Sequence, residues 1–290
     1  MGPASSLVLL GAALAVVVLT LGALVASHPR RRRRRASDEV AAELARHTRL
    51  IRFVRRRLDP AEATGLALTV ALALVFLAVL GFGLVADMIT SRTGLYRYDA
   101  AAAGWGARHA TSTSTRLLVW TTELGSSVVV ATVALAAGLA EWLRRRRLAV
   151  LGFMVTVVVG QNLIVNAIKV LVDRERPPVP HLTGSSGFSF PSGHAAAAAA
   201  TWAALALVLG RGRPWPVKVW LGTAAAAVTV AVAASRVLLG VHWVTDVVGG
   251  AAIGFGWFVA CSVAFGGTLL RFGATAVKAE AIDAASPRPG

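Results

Sequence analysis

A chain of 290 residues that is 56% hydrophobic and 15% charged, with a mean hydropathy of +0.66, is too apolar for an ordinary soluble domain and belongs in a membrane. Its formal net charge of +16 would suggest a nucleic-acid partner in a soluble protein, but the basic residues cluster at the ends of apolar runs, as topological charge does, and no nucleic acid is expected. The single cysteine, Cys261, lies inside an apolar run, which excludes a disulfide framework or a cysteine-ligated zinc site built from this chain.

A bilayer core of roughly 30 Å needs about 20 apolar residues in helix. Seven segments meet or approach that length: Leu7 to Ser27, Gly65 to Ala86, Leu117 to Ala140, Leu148 to Leu171, Ala195 to Leu209, Val217 to Ser235 and Trp243 to Phe265. The expected fold class is therefore all-α, a polytopic transmembrane bundle. The first segment, within an N-terminal unit at 1–28, has no basic residues before it and is followed by Arg30 to Arg35. It reads as an anchor with its N-terminus outside, a cleavable signal being the alternative. In the linker at 29–64, Val40, Leu44, Ile51, Val54 and Leu58 recur near helical spacing among arginines. That pattern suits either a basic amphipathic helix on the inner leaflet or a solvated linker. A core of six helices follows at 65–266. The stretch at 267–290, rich in Ala, Pro and charge without clear periodicity, is expected to be a disordered cytoplasmic tail.

Lys and Arg are disfavoured on the translocated side. Placing 28–64, Arg144 to Arg147, the Arg211 to Lys218 turn and the tail in the cytoplasm puts 22 of the 30 basic residues there. This orientation predicts a multi-pass cell-membrane protein. It sends three polar clusters to the extracytoplasmic face. The fourth span ends in Lys169-Val-Leu-Val-Asp-Arg-Glu-Arg176-Pro177, the next loop carries Pro191-Ser192-Gly193-His194, and the sixth span runs out through Ser235-Arg236 to His242 and Asp246.

Lys169, Arg176 and Arg236 supply three cations, two of them guanidinium forks suited to paired phosphate oxygens. Ser192 and Gly193 precede an alanine-rich helical run, so backbone N–H groups and a hydroxyl can face an anion there. The plain alternative for Ser192 is an N-cap. His242 and Asp246 are four apart, on one face of a helix, so the carboxylate can hold one ring nitrogen and leave the other free to attack. His194, from a separate loop, is then available as general acid. A zinc site on His194, His242 and Asp246 is disfavoured because three neighbouring cations would repel the ion.

Lys-x6-Arg-Pro, Pro-Ser-Gly-His and Ser-Arg-x5-His-x3-Asp together resemble the three-part motif of the type-2 phosphatidic acid phosphatase superfamily, over about residues 65–266. The resemblance implies a six-helix membrane core with its site at the extracytoplasmic face. Lys169, Arg176, Ser192, Gly193 and Arg236 would bind phosphate and stabilise a pentacoordinate transition state. His242 would form a phosphohistidine, Asp246 would orient it, and His194 would protonate the leaving oxygen and then activate water, without a metal or other cofactor. The implied substrate is a membrane lipid phosphate or pyrophosphate, such as phosphatidic acid, phosphatidylglycerol phosphate or an isoprenyl (pyro)phosphate. A lipid phosphotransferase, a vanadate-dependent haloperoxidase and a non-catalytic lipid-binding scaffold are the alternatives. Haloperoxidase relatives are soluble, and a scaffold would tolerate the loss of a motif residue. The sequence leaves the oligomeric state open.

Among the remaining polar residues, Glu123 and Asp87 suit either the cavity or the interface. Gln161, Asn162 and Asn166 suit hydrogen bonds between helices, and His109 and His181 sit in outer loops without matching partners.

Overall fold

The computed structural model of the protein describes residues 63–145 and 148–269. The N-terminal span and nearly all of the basic linker and of the tail lie outside the described residues. The described residues form eight helices: α1 Ala63–Ser91, α2 Tyr96–Arg108, α3 Ser112–Glu123, α4 Ser127–Arg145, α5 Ala149–Val172, α6 Gly193–Leu209, α7 Trp215–Leu238 and α8 Val244–Leu269. Helices α1, α4, α5, α7 and α8 are long and apolar enough to cross a membrane. Helix α6 is apolar but, at 17 residues, shorter.

That short helix is the axis of the bundle, in contact with α4, α5, α7 and α8. Ala195 to Ala200 are all buried, which only small side chains allow when helices close in from every side. In a membrane, where lipid tails are as apolar as leucine, close packing of small residues is what holds helices together. Opposite α6, Gly250 and Gly254 of α8 lie so near the Ser192 and Ala196 carbonyls that a Cβ at either position would overlap them. Larger side chains fill the flanks. Phe153, Met154 and Val157 of α5 pack with Ala134, Ala200 and Cys261. Nearer the polar end, Phe82 and Val85 of α1 meet Val165, Ile168 and Phe190. Outward-facing Phe76, Leu77, Val128, Leu135, Leu163 and Val170 are exposed, as a lipid-facing surface requires.

Three expectations change. The span expected from Leu117 to Ala140 is broken at Leu124 to Ser126, giving α3 and α4. Gly125 turns the chain where a Cβ would stand 2.6 Å from the His194 carbonyl oxygen, and the Ser126 hydroxyl accepts from Val129 N–H at the start of α4. Second, the segment between the second and third expected spans forms a helix, α2. Third, among the described residues Asn162 and Asn166 make no bridge between helices, and the buried Gln161 Oε1 has no hydrogen-bond partner. The Asn166 amide donates to the carbonyl and side-chain oxygens of Asn162 on the same exposed face of α5.

At one end of the bundle the heads of α6 and α8 are joined by the Ser192 N–H to Asp246 carbonyl bond, and Lys169 near the end of α5 lies within electrostatic reach of Arg236 near the end of α7. Helices α2 and α3 lie against α7, and α2 also against α8.

Candidate active site

Helix α5 ends at Asp173, which adopts the left-handed conformation with φ 48° while its N–H bonds back to the Lys169 carbonyl. That reversal sends the following segment across the bundle end. Its path is pinned by Ser189, whose N–H donates to the Arg174 carbonyl at 2.8 Å and whose hydroxyl donates to the Glu175 carbonyl at 2.8 Å. The Trp243 indole N–H donates to the same Glu175 oxygen at 2.9 Å.

Arg176 spreads its guanidinium over backbone carbonyls, donating to Ser186 at 2.7 Å, Gly187 at 2.9 Å and Val241 at 2.6 Å. It thereby ties the loop before α6 to the turn before α8. Its Nη1 also stands 3.5 Å from His242 Nε2. His242, in the turn between α7 and α8, is 2% exposed, and its Nδ1 lies 3.3 Å from Asp246 Oδ2. The second ring nitrogen faces the arginine side. Burial pushes the His242 pKa down to about 4; Asp246 opposes the shift, while Arg236 and Arg176 add to it. The ring is thus neutral near pH 7, with a lone pair to offer.

Ser192 occupies the N-cap position of α6 but makes no side-chain cap hydrogen bond. Its N–H instead donates to the Asp246 carbonyl at 2.9 Å. Among the described residues, the Ser192 hydroxyl and Arg236 Nε are buried without a hydrogen-bond partner, as are Gln161 Oε1 and Thr201 Oγ1 elsewhere in the bundle. Arg236 donates from Nη1 to the Thr122 hydroxyl of α3 at 3.2 Å. Lys169, Arg176 and Arg236 are within electrostatic reach of one another, and His194 is within reach of all three and of His242. Gly193 and His194 open α6 beside them, half-buried. The fold therefore gathers at one end of the bundle all eight residues singled out in the sequence, drawn from three separate segments. Among the described residues, no group of three His, Cys, Asp or Glu is placed to hold a metal ion.

Residues 147–268 match the family model described as "PAP2 superfamily". The match covers less than half of the chain and marks that segment as similar to the PAP2 superfamily. The chain is 34% identical over 106 residues to phosphatidylglycerophosphatase B of Bacillus subtilis strain 168, covering 36% of this chain and 52% of the relative. It thus spans about half the length of that curated relative. In three dimensions it is similar to the crystal structure of a transmembrane PAP2-type phosphatidylglycerolphosphate phosphatase from Bacillus subtilis. That likeness has a TM-score of 0.58 and 26% identity, and covers 66% of this chain and 94% of the other.

All eight predicted residues fall inside the matched segment, and the geometry adds others. Arg174 lies within the first motif string, yet only the structure gives it a task. It donates from Nη1 to Asp246 Oδ1 and to the Thr245 hydroxyl at 2.7 Å, and from Nη2 to Asp99 Oδ2 at 2.8 Å. Its guanidinium carbon lies over the rings of Trp243 and Tyr96, 5.4 and 5.9 Å from their centroids. Asp99, on α2 and outside the matched segment, also accepts from the Thr245 N–H at 3.0 Å and hydroxyl at 2.7 Å. The available signal was an acidic residue and an arginine on the same membrane face, too common a pattern to single out. His181, expected to lack partners, bonds through Nε2 to the Pro177 carbonyl and through Nδ1 to the Ser185 hydroxyl, both at 3.1 Å. His109 bonds to the Trp105 carbonyl at 2.9 Å and stacks on its ring. Both are local loop contacts. Glu123 is exposed at the end of α3 within reach of Arg236, and Asp87 is exposed on α1.

Proposed function

We propose that the protein is an integral membrane phosphatase that hydrolyses a lipid phosphate monoester or pyrophosphate, with phosphatidylglycerol phosphate, phosphatidic acid and isoprenyl (pyro)phosphates as candidate substrates. The observation that carries this reading is that two of the four side-chain groups buried without a partner among the described residues, Ser192 Oγ and Arg236 Nε, lie at the same end of the bundle as a neutral buried histidine. Such groups are costly without an acceptor, and a phosphoryl oxygen satisfies both. The likeness to phosphatidylglycerol phosphate phosphatases of Bacillus subtilis supports the same substrate class.

In the first step His242 Nε2 attacks phosphorus, the P–O bond to the lipid breaks and His194, whose pKa burial and the neighbouring cations hold at about 3 until the phosphate charge offsets them, gives the departing oxygen a proton. In the second, His194 takes a proton from water, whose oxygen attacks phosphorus as the P–N bond breaks. Phosphate is released and His242 is restored neutral. Lys169, Arg176 and Arg236 meet the charge of the transferring phosphoryl group, the electrostatic work that metal ions perform elsewhere. The orientation in which 22 of 30 basic residues are cytoplasmic puts this end of the bundle outside, where a headgroup can enter while the tail stays in the bilayer.

The test is phosphate release by the purified full-length protein from a panel of long-chain lipid phosphates and their short water-soluble analogues. We expect kcat/KM to favour the long chain, turnover to persist in EDTA, and acid quench to trap a phosphoenzyme that is absent in His242→Asn. Equal rates on soluble analogues would remove the lipid from the reading. Full activity in His242→Asn would remove the nucleophile.

A further inference from the structure

Asp246 faces two opposing tasks, and its surroundings show how they are reconciled. Its Oδ2 accepts from the Trp243 N–H at 3.0 Å and faces His242 Nδ1, while its Oδ1 is bound by Arg174. A carboxylate that supports an attacking histidine must stabilise the cationic ring that forms. A carboxylate already neutralised by a guanidinium does this poorly, because nearby charges act on the ring together. Asp99 changes the balance. It is 2% exposed and pairs with the other side of the same guanidinium at 2.8 Å. Two carboxylates then flank one arginine and leave a single negative charge in excess, next to His242. All three side chains are at most 10% exposed, so the charges act through a poorly screened medium.

We infer that Asp99 and Arg174 are positioning residues for the PAP2 chemistry: Arg174 locks the Asp246 carboxylate in place, and Asp99 supplies the counter-charge that lets Asp246 support His242. The inference rests on the phosphatase reading above. It gives α2, outside the matched segment, a role in that chemistry. Neither residue touches the phosphate in this account; they act through Asp246.

The charged and titratable groups acting on His242 are Asp246 on α8, Arg236 on α7, Arg176 in the segment after α5 and His194 on α6. Behind Asp246 stand Arg174 and, on α2, Asp99, and Lys169 on α5 is within reach of Asp246. Against this fixed background the two variants have opposite signs. Asp99→Asn removes a negative charge and lowers the pKa of His242. Arg174→Gln removes a positive charge and raises it. A residue that merely held α2 against α8 would not produce opposite shifts.

The experiment uses full-length protein in detergent, with phosphatidic acid and phosphatidylglycerol phosphate as probes and ¹⁵N-histidine NMR titration as a readout that needs no turnover. The His242 resonance is assigned by its loss in His242→Asn. We expect Asp99→Asn to lower kcat about 10- to 100-fold, the range seen when residues supporting a metal-ligating side chain are removed, with KM unchanged. In an Asp246→Asn background the same substitution should have little effect, since it acts through that carboxylate. Wild-type kcat in Asp99→Asn, an equal loss in both backgrounds, or His242 shifts of the same sign in both variants would overturn the inference. If Asp99→Asn does not fold, Arg174→Gln interrupts the same chain from another element. A His242 resonance it leaves unmoved is then the overturning result. Wild-type protein inactive on every lipid phosphate would instead defeat the functional reading, and the titration would still decide whether the pair acts on His242.

Discussion

His242 and Ser192 illustrate how burial sets chemistry at the scale of single residues. Because burial holds the folded pKa of His242 near 4, below the ordinary value of about 6.5, the unfolded chain binds a proton that the folded one does not between those values. Stability from this group is full above about pH 6.5 and is lost as pH falls towards 4. Thermal unfolding in detergent should therefore show a steeper loss of Tm over that window in wild type than in His242→Asn, and parallel curves would refute the assignment. Ser192 gives a separate test. Replacing a serine N-cap by alanine costs about 1 kcal/mol, but this hydroxyl makes no cap bond. Ser192→Ala should leave Tm unchanged or slightly raised while kcat/KM falls, by up to about 10²-fold if the hydroxyl serves the transition state as an oxyanion donor does. A lowered Tm with normal kinetics would return Ser192 to a structural role.

At the scale of elements, the contact of α6 with α8 sets the site, because Ser192 at the head of α6 and Asp246 at the head of α8 share a backbone hydrogen bond of 2.9 Å. Gly254→Leu drives a side chain into the Ala196 carbonyl. It should separate the helices and cost expression and activity together. Gly222→Ala on α7, with nothing within 4 Å of the added carbon, should be tolerated. Fluorescence-detected size exclusion followed by phosphate release measures both. Hydropathy alone merged α3 and α4, since a window over Leu117 to Ala140 averages across the polar end of α3 and the turn at Gly125. That turn is explained by what lies opposite: the His194 carbonyl and, at 2.8 Å from an added Cβ, Val232. Helix α2 leaves no hydropathy signal for a related reason. It is short, at 13 residues, and its value lies in where Asp99 points.

For the whole molecule, the orientation is the testable quantity. Cysteine introduced at Gly184, where nothing lies within 4 Å of an added Cβ, should react with an impermeant thiol reagent added outside intact cells. Cysteine at exposed Arg213 should react only after permeabilisation. The native Cys261 is buried and can be replaced to clear the background. The reverse pattern would put the candidate site in the cytoplasm.

The sequence by itself determined the membrane class, the arrangement of most spans and the eight candidate site residues. Apolar run length and charge position are local quantities, and each motif keeps its spacing within one short segment. Tertiary structure decided what those residues do to one another. It leaves Ser192 and Arg236 with unpaired groups and spends much of the Arg176 fork on loop carbonyls. It also joins Asp99 to Asp246 through Arg174, across 75 and 72 positions of chain. Those relations depend on helices approaching at Gly125, Gly250 and Gly254, and no local pattern encodes which distant charge will be buried beside which.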